Sequence, residues 1–241
     1  MAGFRLKMAT QLGEKTAEGH GCTSFPVDIL AIAKSNDIAV DAQPPDMPGI
    51  SGALIMVGNA VRLIYSTAQN NAGFERFSIA HELGHYFLPG HPEEIMKAGG
   101  SHISRSNFTE NSSIELEADH FASGLLLPKS LVRKNLSEAK IGLDGVISLA
   151  DAAQCSRTAA AIRAAECSEY PMAIVVSKAD KVAYCFMSDS FKNFGNLTFL
   201  RKSAPLPQGA TLSFNMDGSN VLRAKEICSE TTLADWFGGS G

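Results

Sequence analysis

Residues 81–85 read His-Glu-Leu-Gly-His, and no other stretch of the chain offers comparable chemistry. On a helix, residues four apart project from one face, so the imidazoles of His81 and His85 can converge on one point. Two imidazoles so placed can fill two corners of a tetrahedral zinc site. Glu82 lies about 100° further round such a helix, within reach of a water at that metal. A carboxylate there can take the water's proton as a carbonyl carbon is attacked. The chemistry implied is metal-assisted hydrolysis, with Glu82 as the general base.

A catalytic zinc usually has three protein ligands and one open position. Residues 112–128, Ser-Ser-Ile-Glu-Leu-Glu-Ala-Asp-His-Phe-Ala-Ser-Gly-Leu-Leu-Leu-Pro, have the period of a helix stopped by Pro128. Ile114, Ala118, Phe121 and Leu125 form its apolar stripe. Glu115 and Asp119 flank one side of that stripe, and Glu117 falls about 160° from Glu115. Glu115 is the favoured third ligand, because Asp119 one turn later can accept the free N–H of a ligand imidazole and fix its tautomer. Two alternatives stay open. Ser112 and Glu115 can instead form a capping box, which leaves Glu117 as the ligand. A histidine such as His91, His102 or His120 can also serve.

The elements around these residues follow from pattern. Residues 71–88 read as the helix that carries the histidines, capped by Asn70 or Asn71 and followed by Pro89. Weak periodicity at Phe4, Met8 and Leu12 suggests a helix over 3–18, and Pro26 opens a clearer one over 27–35. Ile38–Ala42 is a short strand, and Gln43–Gly49 is a loop by composition. Ala53–Val57 and Val61–Tyr65 form a hairpin turning at Gly58-Asn59. The strand Val61–Ser66 is either an edge for an extended peptide to pair with or an ordinary central or covered strand. The Gly-, His- and Ser-rich stretch 90–105 reads as an irregular lid, from which His91, His102 or Arg105 could stabilise charge on the scissile carbonyl.

Residues 142–168 resemble a helix-turn-helix. Its second helix carries Arg157 and Arg163 but is mostly alanine, which suits packing against a neighbour, so DNA contact is not expected. Beyond Tyr170, strands at 172–177, 182–188, 197–200 and 210–214 suggest a small β-rich domain. The division expected is 1–135 for the metal-binding unit, 136–168 for the helix-turn-helix-like segment and 169–241 for a C-terminal domain.

Composition sets limits on the class. With 45% hydrophobic and 19% charged residues, the chain reads as a globular protein, and its net charge of −4 provides no general attraction to nucleic acid. No stretch has the length of a membrane span, and the first ten residues lack the apolar run of a signal peptide. Five scattered cysteines, without a CxxC pair, suit a reducing cytoplasm.

Three motifs in order, Arg76-Phe-Ser-Ile-Ala-His-Glu-Leu-Gly-His85, Glu115-Leu-Glu-Ala-Asp-His-Phe-Ala122 and Leu125-Leu-Leu-Pro128, resemble the ImmA/IrrE family of bacterial metallopeptidases. The resemblance covers roughly residues 25–135. It implies an α+β fold with a zincin-like metallopeptidase unit. It also implies zinc on His81, His85 and Glu115, with Glu82 as catalytic base. Asn is more usual in the family at Asp119, and Met at Leu127. The resemblance further implies a regulatory or stress-response endopeptidase acting on a helix-turn-helix repressor or antitoxin, and a sensor-like C-terminal domain. The alternative is a zinc-bound regulatory protein, inactive as a peptidase, that binds DNA or a protein partner.

Overall fold

A computed structural model describes residues 2–44, 49–105, 113–139 and 142–238. These fall into two units, Met1–Arg163 and Ala164–Gly241. The first contains α1 (Ala2–Gly19), α2 (Ile29–Ser35), β1 (Ile38–Gln43), β2 (Ile50–Val57), β3 (Ala60–Ser66), α3 (Ala72–Phe87), α4 (His91–Lys97), β4 (Ser101–Arg105), α5 (Ser113–Leu126), α6 (Lys129–Glu138) and α7 (Leu143–Ala153). Helix α8 (Arg157–Cys167) runs through the junction. Most of the loop expected at 43–49, the Ser112 half of the capping box and the last three residues lie outside the described residues.

The sheet has the order β1-β3-β2-β4, with β1 parallel to β3 and the other pairs antiparallel. The hairpin at Gly58-Asn59 is present. Of the two readings of Val61–Ser66, the edge for an extended peptide is not the one observed. Strand β3 is interior, paired on both sides, and the edges are β1 and β4. Periodicity reports which face of a strand is buried, not which strands lie beside it. The irregular lid also needs correction, because residues 91–105 form α4 and β4. Gly99 and Gly100 both have positive φ and turn the chain between them, and a side chain on Gly100 would strike the carbonyl oxygen of Met56. The glycines that read as loop composition are turn chemistry between two short elements.

Helix α3 packs against both the sheet and α5. Leu54 and Leu63 from the sheet, Ile79, Ala80 and Leu83 from α3, and Ala118, Phe121, Ala122 and Leu125 from α5 are all buried. Helix α1 packs along α5 at unusually short range. Gly124 lies against the carbonyl oxygen of Thr10 and Gly13 against that of Phe121, with no room for a Cβ at either. Gly84 provides the matching approach of α3 to α5, where a Cβ would stand 3.1 Å from Ala118 Cα. Arg163 is buried, donates to the Leu127 carbonyl at 2.9 Å and pairs with Glu14 of α1. That carbonyl follows the last turn of α5, where backbone acceptors lack helical partners.

The second unit contains one hairpin, β5 (Ala173–Lys178) with β6 (Lys181–Met187), and the short helices α9 (Asp189–Lys192), α10 (Ala210–Met216), α11 (Gly218–Leu222) and α12 (Leu233–Phe237). The strands expected at 172–177 and 182–188 are there. Those expected at 197–200 and 210–214 are not, so the β-rich description holds only for its beginning. In 210–216, Leu212, Phe214 and Met216 alternate as a strand would, yet Leu212 and Met216 also sit four apart as on a helix. Runs this short satisfy both periods. Phe191 and Phe237 are buried, with ring centroids 4.9 Å apart. No helix among the described residues is long and apolar enough to cross a membrane.

Replacing Gly124 by valine should force α1 away from α5. The expected outcome is a lower thermal midpoint and a loss of about 1–3 kcal/mol or more of stability. Calorimetry checks it, and an unchanged midpoint would show that the two backbones have room to separate.

Candidate metal centre

Asn71 starts α3 by accepting from the Phe74 N–H at 3.0 Å, and the helix then carries His81 and His85 into the core. Their Nε2 atoms are 3.1 Å apart. Glu115, from the first turn of α5, brings Oε2 to 3.2 Å from His81 Nε2 and Oε1 to 3.4 Å from His85 Nε2. Tetrahedral bonds of about 2.1 Å put donor atoms about 3.4 Å apart. The three side chains therefore fit one metal ion, and their donor atoms all lie within 4.8 Å of one another.

The other candidates are placed elsewhere. Glu117 is buried against Arg5, 3.0 Å away, and His120 Nδ1 lies 3.2 Å from the Thr10 hydroxyl. Asp119 Oδ1 lies 2.9 Å from His81 Nδ1, so a carboxylate orients that imidazole. His102, on β4, reaches Glu115 Oε1 at 2.9 Å, and its ring centroid is 4.1 Å from that of His85. His91 is not on the open side. It is buried, with its Nδ1 3.1 Å from His85 Nδ1, so it has no route to a scissile carbonyl. Arg105 is exposed and lines a pocket beside His81 with Phe74, Phe77, Ser104 and Leu116.

Glu82 is fully buried, and neither carboxylate oxygen makes a well-formed hydrogen bond among the described residues. Burial raises its pKa above the usual carboxylate range, against the opposing pull of His81, Ser104 and His102. Gly52 of β2 makes room for it. A Cβ there would stand 2.7 Å from Glu82 Oε1 and 3.0 Å from its Cγ. Gly52 was missed from sequence, although a glycine inside the apolar run Ile50–Val57 signals a close approach.

The two imidazoles differ in charge. Burial disfavours a proton on both. At His81 the hydrogen bonds to Asp119 and Glu115 outweigh it and push the pKa up to about 10. At His85 burial prevails and the pKa falls to about 3. Burial also works against the Glu115 carboxylate, but contacts with His102, His81 and His85 hold it well below the usual range. Without a metal, a proton on His81 thus acts as the cation between two carboxylates. Metal binding at neutral pH should displace it, releasing about one proton per ion. Titration calorimetry in buffers of different ionisation enthalpy measures the number, and no release would contradict a charged His81. Replacing His81 or His85 by alanine should abolish stoichiometric binding.

Residues 47–165 match the family described as Peptidase_M78, IrrE N-terminal-like domain. The match starts before β2 and extends through α7 into α8; α1, α2 and β1 precede it. No curated protein matches the chain. The matched family is the one that the motifs around His81, His85 and Glu115 resemble.

Proposed function

We propose that the protein is a zinc-dependent endopeptidase of the cytoplasm that cleaves one or a few proteins. The observation that carries this reading is Glu82. It is a buried carboxylate whose oxygens make no well-formed hydrogen bond among the described residues, next in sequence to His81 and held against Gly52 beside the His81, His85 and Glu115 donors. A group so costly to bury is retained for chemistry more readily than for stability. Two imidazoles and one carboxylate form a donor set that suits zinc with an open position. Bound there, zinc would supply Lewis acidity to a water and to the scissile carbonyl. Glu82, already raised in pKa, accepts the proton of the attacking water and returns it to the leaving amine. Strand β4 pairs only with β2 among the described residues, so its other edge can add an extended peptide by main-chain hydrogen bonds.

The family resemblance supports a helix-turn-helix repressor or antitoxin as substrate, in a regulatory or stress response. None of the five cysteines forms a disulfide among the described residues, which suits the cytoplasm. The reading as an inactive DNA-binding regulator is less favoured, because Arg163 is engaged inside the fold with Leu127 and Glu14.

Glu82→Gln keeps the shape of the side chain and removes its basicity. Zinc content is expected to be unchanged, while cleavage falls by roughly 10²- to 10⁴-fold. Comparing new protein N-termini in cells carrying wild type or variant identifies the substrate at the same time. Identical sets of N-termini would sink the peptidase reading. Gly52→Ala should displace Glu82 and lower cleavage by up to about 10²-fold with zinc retained, as a misplacement of about 1 Å can do. Single-turnover assays on the substrate so found check this second variant.

A further inference from the structure

A chain of polar side chains leaves the back of the metal-ligand cluster, buried through His91 and Glu117, and ends on α1 at the exposed Arg5. His85 turns Nε2 toward His81 and Glu115, and its Nδ1 lies 3.1 Å from Nδ1 of His91. His91, at the start of α4, is only 1% exposed. Its Nε2 lies 3.5 Å from Glu117 Oε2, the outer edge of hydrogen-bond distance, and has no hydrogen-bond partner at shorter range among the described residues. Arg5 of α1 grips Glu117 with two nitrogens, Nε 3.0 Å from Oε1 and Nη2 3.2 Å from Oε2.

Each link has one permitted direction. A neutral imidazole that ligates through Nε2 carries its proton on Nδ1. The Nδ1–H of His85 must then donate, and His91 Nδ1 must accept. A neutral His91 that accepts at Nδ1 carries its own proton on Nε2, which faces Glu117. The Glu117 carboxylate accepts it, and Arg5 balances the charge. Packed hydrocarbon would stabilise this interior at least as well as a buried carboxylate and imidazole. What hydrocarbon cannot do is hold one ring nitrogen of His85 in a fixed protonation state.

The geometry points to His91, Glu117 and Arg5 as positioning residues that fix the tautomer and ring orientation of His85, as Asp119 does for His81. Arg5 precedes the residues that match the family domain, so α1 takes part in shaping the site. This inference rests on the zinc-site reading above.

The test uses the full chain with His91→Phe, which keeps a ring but offers no acceptor, and His91→Asn, whose amide oxygen can stand where Nδ1 stood. Zinc affinity is read by chelator competition, and folding by the thermal midpoint of the metal-free proteins. His91→Phe is expected to bind zinc about 10- to 100-fold more weakly, and His91→Asn to return to within about threefold of wild type. Long-range nitrogen–proton NMR of the zinc-loaded wild type should show His91 protonated at Nε2 alone. Wild-type affinity in His91→Phe overturns the proposal. So does an Asn variant that folds yet binds as weakly as Phe, or a His91 proton on Nδ1. The NMR result decides the matter even if His91→Phe does not fold. A wild type that binds no zinc overturns the metal site itself, and the chain of positioning residues with it.

Discussion

The site exists because two helices come within backbone range of each other at Gly84 and Ala118. Helix α3 provides only two imidazoles and a carboxylate on neighbouring faces. The third donor has to come from α5, and Glu115 reaches His81 and His85 only while the helix axes stay close. A Cβ at residue 84 would stand 3.1 Å from Ala118 Cα, so α5 would have to give by a few tenths of an ångström and carry Glu115 with it. Helix α1 holds α5 through Gly13 and Gly124, and Arg163 holds its far end. Small residues set the spacing, and the apolar packing of Phe121, Leu125 and Leu83 opposes the cost of the charges buried beside them.

Around that contact the two imidazoles sit in opposite electrical settings. His81 faces Asp119 and Glu115 and carries charge easily; His85 is enclosed and stays neutral. A pair of equally basic imidazoles 3.1 Å apart could not both be protonated without strong repulsion. The asymmetry resolves this by keeping one nitrogen available as a neutral base and confining the charge to the side nearer the carboxylates.

Where local chemistry decided the structure, the residues could be read directly. Asn71 caps α3, Pro128 closes α5, and the stripe Ala118, Phe121 and Leu125 is buried as its period required. Glu115 and Asp119 both turn toward His81 because four residues of helix separate them. Where the outcome depended on what lay next to an element, periodicity had nothing to report. The interior position of β3 depends on β1 pairing from a distance in sequence, and β4 was hidden by the glycines that make its turn. Arg163 was weighed only for DNA contact, and its partners on α1 and after α5 could not be read from its own helix. Glu117 was weighed only as a ligand, although its charge is met by Arg5, a residue with no motif of its own.

The pairing of Arg5 with Glu117 joins residues 112 positions apart. Proteins are made from the N-terminus, so α1 leaves the ribosome well before α5 exists to receive it. Until then Gly13 has no backbone to lie against, and His81 and His85 lack their third donor. Contacts this distant in sequence form only after a long loop has been closed. An unfinished chain that already displays the His-Glu-Leu-Gly-His helix still lacks the means to complete the centre. The three donors are therefore brought together by the docking of α5 on α3 and α1, not by the His-Glu-Leu-Gly-His helix alone.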